Sequence, residues 1–600
     1  MPSSAAEQPA VHPRPLLARA DWLDLDGPWR FAFDDQDAGR AQHWHVRGRS
    51  DPFKRSITVP FAPESTASGI GDTGYHPVVW YRRTVRLTPP PGQRVLLHLG
   101  AVDHEASVWV DGQHVGDHDG GYTAFTLDVT DALNGGDDHE VVVRAQDDPR
   151  DPEVPRGKQD WELEPHDVWY HRSTGIWRTV WCETVPTQHV ADLRWTVDLA
   201  GATVTAEVEL ARPPAPGTTL SVTLRHRGTP LGSSSVTAGD RRTPVTVALA
   251  GLGNGQARAA YLWSPEHPEL LDATIAVAVD GAAGDVVTSY VGLRTVETGS
   301  GRFLLNGQPY HLRAVLEQGY WPESLFTPPS VAAMRAEVEL VRSLGFNAVR
   351  LHQKVEDPRF LYWADRLGLL VWAEMPSAYR FSAAGAHRVL REWLDAVRQQ
   401  WNHPSVVTWV PVNESWGVQD LADEPAQRAF ARALADATRA LDPTRPVVSN
   451  DGWEHQCSDI VGIHDYEGDA AALAERYADS AALDRVLAGP GPARRPMFVG
   501  GARYRGQPVM VTEFGGIAFQ PREARPDGWG YTSARDAAEW TSAVAALHQA
   551  LRAGGVLAGT CYTQLTDTRQ ETNGLCTADR HPKAPVEALR RAVLGEPGPG

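Results

Sequence analysis

WNHPSVVTWVPVNES (residues 401–415) decides the fold. Its centre, VVTWVPV (406–412), is apolar throughout with no polar alternation, which is how a strand buried on both faces of a parallel sheet reads. The run ends in Asn413-Glu414, so the chain delivers a carboxylate just beyond a packed core. VMVTEF (509–514) repeats the pattern and ends on Glu513.

Working outward, further strand-like runs are YHLRAVLE (310–317), FNAVRLH (346–352), LLVWAEM (369–375), PVVSND (446–451), IVGIHDY (460–466) and LAGTCYTQ (557–564). Amphipathic helical stretches such as PSVAAMRAEVELVRSLG and HRVLREWLDAVRQQW fill the gaps. The alternation predicts βα units, and eight strands in about 300 residues is the count of a (β/α)8 TIM barrel. The stretch around 467–508 is Gly/Pro-rich and is expected to decorate the rim instead of forming a regular crossover.

Upstream, the texture is all-β. Short alternating runs up to about Pro186 (VVWYRRTVRL, RVLLHLG, ASVWVDGQHVG, EVVVRAQ) predict a jelly-roll sandwich, with Asp111-Gly112 as a hairpin tip. From Gln188 to about Thr298, TVTAEVEL, LSVTLRH, PVTVALA and ATIAVAVD predict an immunoglobulin-like sandwich of some seven strands. The expected domains are therefore residues 1–187, 188–298 and 299–600.

The whole chain has 600 residues and a formal net charge of −18, with no basic tract, so nucleic acid and membrane surfaces are excluded as partners. Four cysteines with no C-x-x-C pair argue against thiolate metal clusters and a disulfide framework. The start, MPSSAAEQPAVHPRPLLARADW, lacks the apolar core of a signal peptide, and no run is long enough to span a membrane, so a cytoplasmic protein is expected. A homo-oligomer is left open. G-x-S-x-G, H-E-x-x-H and P-loop signatures are absent.

In a barrel the chemistry gathers at the C-terminal strand ends. Those ends carry Glu317, Arg350 and His352, Glu374, Asn413 and Glu414, Asp451, His464 and Tyr466, Glu513, and Gln564. Glu414 on the fourth strand and Glu513 on the seventh face each other across the barrel, the arrangement glycosidic cleavage requires: one carboxylate attacks, the other protonates the departing oxygen. Lysine is rare beside arginine, occurring only at 54, 158, 354 and 583, so Lys354 at the barrel mouth is a candidate for meeting sugar hydroxyls. The loop GKQDWELEPHDVWYHRSTGIW (157–177) offers Asp160, Trp161 and Trp169 either as a lid over the barrel or as an interface seal. Trp416 is either a platform for the leaving group or packing.

The chain resembles glycoside hydrolase family 2, the family of β-galactosidases, β-glucuronidases and β-mannosidases. The resemblance rests on LDGPWRF (25–31), HVGDHDGGYTAFTLDVT (114–130), STGIWRTVW (173–181), FLLNGQPYHLRAV (303–315), LGFNAVR (344–350), WADRLGLLVWAE (363–374), WNHPSVVTWVPVNES (401–415), VTEFG (511–515) and QLTDTRQETNGLCTADRHPK (564–583). It implies Glu414 as general acid/base, Glu513 as nucleophile and a double displacement with retention. The two carboxyl groups should then lie about 5–5.5 Å apart, with Glu513 charge-stabilised and Glu414 kept protonated. Arg350 and Tyr466 are expected beside the nucleophile and Asn413 at the sugar's 2-hydroxyl. His352, Lys354, Glu374, His464, Trp416, Asp160, Trp161 and Gln564 complete the candidate substrate-binding set.

Departures bear on the substrate. The Asn-x-Lys pair that binds the sugar carboxylate in family glucuronidases is replaced by Glu571-Thr572-Asn573, which disfavours an acidic sugar. The Glu-x-His arm of the large galactosidases is replaced by Glu374-Met375-Pro376, so no catalytic metal and no cofactor are expected. After Arg350 the chain has Leu351-His352-Gln353-Lys354 where those enzymes have Ser-His-Tyr-Pro. The expectation is an exo-acting β-galactosidase-type enzyme on a neutral terminal sugar of a glycoside or oligosaccharide. β-Galactofuranosidase or α-L-arabinofuranosidase is the runner-up and β-mannosidase is less favoured. A non-catalytic carbohydrate-binding protein is the reading from another class.

Overall fold

The computed structural model describes residues 11–47, 51–520 and 528–596. The first ten residues of the expected leaderless start, and the last four of the third domain, lie outside the described residues. Among the described residues no helix is long and apolar enough to cross a membrane.

The N-terminal region is a two-sheet sandwich. A six-stranded antiparallel sheet orders Arg55–Val59, Gly27–Phe33, Val78–Arg86, Asp138–Gln146, Glu105–Val110 and Gln113–Asp119, facing a four-stranded sheet built around Val180–Pro186 and Gln93–Leu99. The Asp111-Gly112 tip forms as expected, with φ of +49° and +79°, the positive values a two-residue hairpin turn demands. The next region stacks Val190–Asp198, Thr203–Leu210 and Arg242–Ala248 against a four-stranded sheet, seven strands in all, around a Val/Leu/Ile core.

Seven parallel barrel strands follow: β1 (Leu312–Glu317), β2 (Ala348–Leu351), β3 (Leu370–Glu374), β4 (Val406–Val410), β5 (Val461–Asp465), β6 (Val509–Gly515) and β7 (Gly559–Thr563), in sheet order β4-β3-β2-β1-β7-β6-β5. Along β1, Leu312, Ala314 and Leu316 pack into one apolar cluster and Val315 into another, so both faces are buried, as an unalternating run requires. The expected strand over 446–451 is not a regular strand. It runs parallel to β4 through the Trp409–Val447 and Asn413–Asp451 bridges. Its polar residues spend their groups elsewhere: Ser449 bonds Ser458 Oγ at 2.9 Å, and Asn450 donates to Trp453 O at 2.8 Å.

The stretch 467–508 is more regular than its composition predicts. It contains helices Ala470–Arg476 and Ser480–Ala488, each started by an aspartate, Asp469 or Asp479, that caps a backbone N–H. The second sandwich is tied to the barrel by buried polar contacts: Tyr290 Oη donates to Asp365 at 2.7 Å and Arg294 to Pro404 O and Val406 O at 2.8 Å.

Candidate active site

β4 and β6 deliver the two carboxylates. Beyond β4 the chain turns at Glu414 and Ser415, with φ of +51° and +59°. This conformation is unusual for non-glycine residues and is held by surrounding bonds. Glu414 N donates to Asp451 O (3.0 Å), Ser415 N to Asn450 Oδ1 (2.9 Å) and Ser415 Oγ to Glu454 (2.5 Å), while Arg495 clamps Glu454 at 2.8 Å. The Glu414 side chain stays 22% exposed and that of Glu513 only 7%, so Glu414 is the more open of the two to solvent. Carboxylate oxygens of Glu414 and Glu513 and a ring nitrogen of His464 lie within 4.8 Å of one another.

Glu513 is ringed by donors. Arg350 Nη1 donates to its Oε1 at 2.6 Å, and Tyr466 Oη to its Oε2 at 2.5 Å. Burial pushes this carboxyl up, but His464, Arg350 and the Tyr466 hydroxyl outweigh it and hold Glu513 below the usual carboxylate range. Glu513 is therefore held as a charged carboxylate.

Arg350, on β2, is also 2.9 Å from Glu374 and 3.2 Å from Asp451, and donates to Asn413 Oδ1 at 2.7 Å. One guanidinium cannot neutralise three buried carboxylates, and Glu374 carries the remaining cost. Burial, with Asp451 and Glu513 adding to it against Arg350, pushes Glu374 up to about 8. Burial opposes ionisation of Asp451 as well, but Arg350 and His464 hold it well below the ordinary range. His352 stands 3.1 Å from Glu374, and burial keeps it neutral.

His464, at the end of β5, touches both carboxylates. Its Nδ1 is 2.6 Å from Glu414 Oε1 and 3.5 Å from Glu513 Oε2, and its Nε2 is 3.7 Å from Asp451 Oδ2. Although one cation could reach Glu414, His464 and Glu513 together, the Arg350 guanidinium beside Glu513 and the direct imidazole–Glu414 contact already satisfy these carboxylates. The trio reads as a carboxylate pair with its charge partner.

Two candidates are corrected. Lys354 does not face a sugar: it is 1% exposed, donates to Gly319 O at 3.0 Å and pairs with Glu356 at 2.8 Å, so its ammonium is consumed inside the fold. Asp160 is likewise 1% exposed, and its carboxylate accepts from Glu162 N (2.8 Å), His166 N (2.9 Å) and His166 Nδ1 (2.9 Å). It shapes the loop and has no oxygen free for hydroxyls.

That loop combines the two roles expected of it. Trp161 and Trp169 pack edge-on at 4.7 Å, and Trp169 lies 5.7 Å from Trp416, joined by Tyr379. Lys158 sits over the Trp416 ring at 5.0 Å. Gly157 makes the crossing feasible: φ is +58°, and a Cβ there would stand 2.5 Å from Gln353 O. Gln564 is buried and donates to Glu571 (3.0 Å) and Asn573 (2.7 Å).

Three contributors lie outside the expected substrate-binding set, and of these only Asp451 stands among the strand-end residues read from the sequence. Asp451 anchors the Arg350–His464 network, Thr512 donates to it at 2.8 Å, and Tyr170 of the first region donates to Glu571 at 2.8 Å. Asp451 is the last residue of the fifth strand-like run in chain order; the reach of Tyr170 across 401 positions had no local signal.

Paired carboxylates at the mouth of a parallel barrel, behind two β-sandwiches, define a glycoside hydrolase scaffold. Residues 23–186 match the sugar binding domain of glycosyl hydrolases family 2, residues 188–294 the family 2 domain that follows it, and residues 296–485 the family 2 TIM barrel domain. The chain belongs to glycoside hydrolase family 2. It is similar to a putative beta-glucuronidase of Formosa agariphila (29% identity; 61% of this chain, 44% of that one) and to a beta-galactosidase of Thermoanaerobacter pseudethanolicus (26%; 72% and 55%). It also resembles the beta-glucuronidase of Canis lupus familiaris (26%; 77% and 74%). The chain thus spans about half the length of the first two. The fold matches that of a Ruminococcus gnavus β-glucuronidase solved with D-glucuronic acid, with TM-score 0.75 at 17% identity over 96% of this chain and 97% of that one.

Proposed function

We propose that the chain is an exo-acting retaining β-glycosidase for a neutral terminal sugar. The observation that carries the mechanism is the approach of Glu414 and Glu513 oxygens to within 4.8 Å, the close spacing of direct attack and not the wide one that leaves room for an inverting water. Glu513, ionised between Arg350 and Tyr466, attacks the anomeric carbon while Glu414 protonates the departing oxygen; Glu414 then deprotonates the water that releases the sugar. Asn413 Nδ2 is buried without a hydrogen-bond partner and is the donor for the 2-hydroxyl.

The neutral sugar is supported by Glu571. It is buried, acts electrostatically on the same region as Glu513, and is held by Tyr170, Gln564 and Asn573. A uronate would meet that carboxylate. A β-glucuronidase is the second reading, favoured by the names of most of the relatives and of the matched Ruminococcus gnavus structure, and by Lys158, whose charge acts on both Glu571 and His352. Nitrophenyl β-galactoside, β-galactofuranoside, α-L-arabinofuranoside, β-mannoside and β-glucuronide, assayed with wild type and Glu513→Gln, test both. The proposal expects turnover of a neutral glycoside, abolished in the variant. Glucuronide turnover alone overturns the neutral-sugar reading, and activity surviving in Glu513→Gln overturns the nucleophile.

A further inference from the structure

His464 is placed to do more than line the pocket. It is 2% exposed and lies edge-on to Trp453 at 5.6 Å; a Cβ on Gly452 would come within 2.8 Å of its ring, so the backbone there is shaped around the imidazole. The groups facing it are Glu414 beyond β4, Glu513 on β6 and Asp451 beside β4. His352 on the β2 side, Glu374 on β3 and His455 act on it at longer range. Asp451 is itself pinned by Thr512 Oγ1 (2.8 Å) and Gly452 N (3.0 Å). One imidazole therefore stands between the two catalytic carboxylates, with a third, fixed carboxylate behind it.

We propose that His464 is a positioning residue that stores the proton Glu414 spends: the Nδ1–Oε1 pair holds one proton, on Nδ1 in the free enzyme, and passes it through Glu414 to the leaving oxygen. This rests on the retaining reading above. In the free enzyme the imidazolium donates Nδ1–H to ionised Glu414. In the first half-reaction the Nδ1 proton passes to Glu414 and from Glu414 to the leaving oxygen, the C1–O bond to the leaving group breaks, and the C1–Oε bond to Glu513 forms. Glu414 then stands ionised beside a neutral imidazole. Ester formation removes the negative charge of Glu513 as the positive charge of His464 leaves, so the buried site keeps its net charge. In the second half-reaction water gives a proton to Glu414 and on to Nδ1, hydroxide oxygen bonds C1, and Glu513 departs as carboxylate. Burial opposes the imidazolium, but Glu513, Asp451 and Glu414 together push His464 up to about 10, consistent with a proton held through neutral pH.

The test is His464→Asn in the full chain, whose amide still donates toward Glu414 but cannot carry the extra proton. The pH profile of kcat/KM is measured with an alkyl glycoside, which needs protonation, and a dinitrophenyl glycoside, which does not. The proposal expects the alkaline limb for the alkyl glycoside to fall by about one pH unit or more, toward the carboxyl range, with kcat/KM for the alkyl glycoside falling more than that for the dinitrophenyl glycoside. A uniform loss with an unmoved alkaline limb overturns it. Loss of all turnover in Glu513→Gln with an unmoved limb in His464→Asn leaves the retaining reading standing and removes this one. Independently of turnover, ¹⁵N-histidine spectra of the free wild-type protein, assigned with the variant, should show His464 cationic at pH 7.5; a neutral ring overturns the storage role.

Discussion

Replacing Tyr466 by Phe removes the hydroxyl that bonds Glu513 and, at 3.2 Å, Thr563 Oγ1, while the ring that stacks on Tyr531 at 3.5 Å and 9° is retained. The lost bond is a 2.5 Å O–H···O contact to an ionised, buried carboxylate. Such charge-assisted bonds contribute about 1.5–3 kcal/mol, and at 1.36 kcal/mol per pH unit the Glu513 carboxyl should rise by about one to two units. The nucleophile must be ionised to attack, so the acid limb of kcat/KM should move to higher pH by that amount. Stability should follow the same sign. A carboxyl held below its unfolded value of 4.5 stabilises the fold above that pH and loses the contribution as pH falls through its folded value. The Tm penalty of Tyr466→Phe should therefore be full at pH 7 and shrink on acidification. The assay is kcat/KM on a nitrophenyl glycoside from pH 3.5 to 8, with melting curves alongside. An unmoved acid limb in a folded variant would refute the assignment of Tyr466 as a stabiliser of the ionised nucleophile.

Glu374→Gln should raise Tm relative to wild type increasingly from pH 5 to 9, because a carboxyl pushed up to about 8 costs the fold stability as pH rises past its unfolded value; a pH-independent difference contradicts that. Glu414→Ala should spare dinitrophenyl glycosides far more than alkyl ones and should yield a glycosyl azide when azide is added, read by chromatography; equal loss on both substrates removes its acid role. Gly157→Ala should lower Tm and raise KM together, since its Cβ would collide with Gln353 O; kinetics unchanged would mean the loop does not shape the pocket. Lys354→Arg should lower Tm without a substrate-specific change in kcat/KM, measured across the glycoside panel, because the ammonium is enclosed by Gly319 O and Glu356.

Much of the site was legible because a strand fixes where its last residue points. Glu414, Glu513, Arg350 and Tyr466 follow directly from apolar runs that stop at polar residues, and their contacts are the expected ones. What the runs do not encode is which partner a polar side chain finds. Lys354 had Glu356 two positions away, and Asp160 had the backbone N–H of Glu162 at the same spacing. Both are local partners that compete with substrate, and the Asx-type spacing was readable. The fifth strand failed for the same reason: serine and asparagine in SND bond to neighbouring side chains and backbone instead of completing a ladder. The helices within 467–508 were announced by capping aspartates that composition obscured. Tyr170 meeting Glu571 is a tertiary event between regions, without a trace in either segment alone.

The central claim is a double displacement between Glu414 and Glu513, and the anomeric configuration of the first-formed sugar tests it most directly. Proton NMR of a turned-over glycoside, recorded before mutarotation, should show the released sugar with the substrate's own anomeric configuration. Initial release of the opposite anomer would mean a single inverting displacement and would contradict the account.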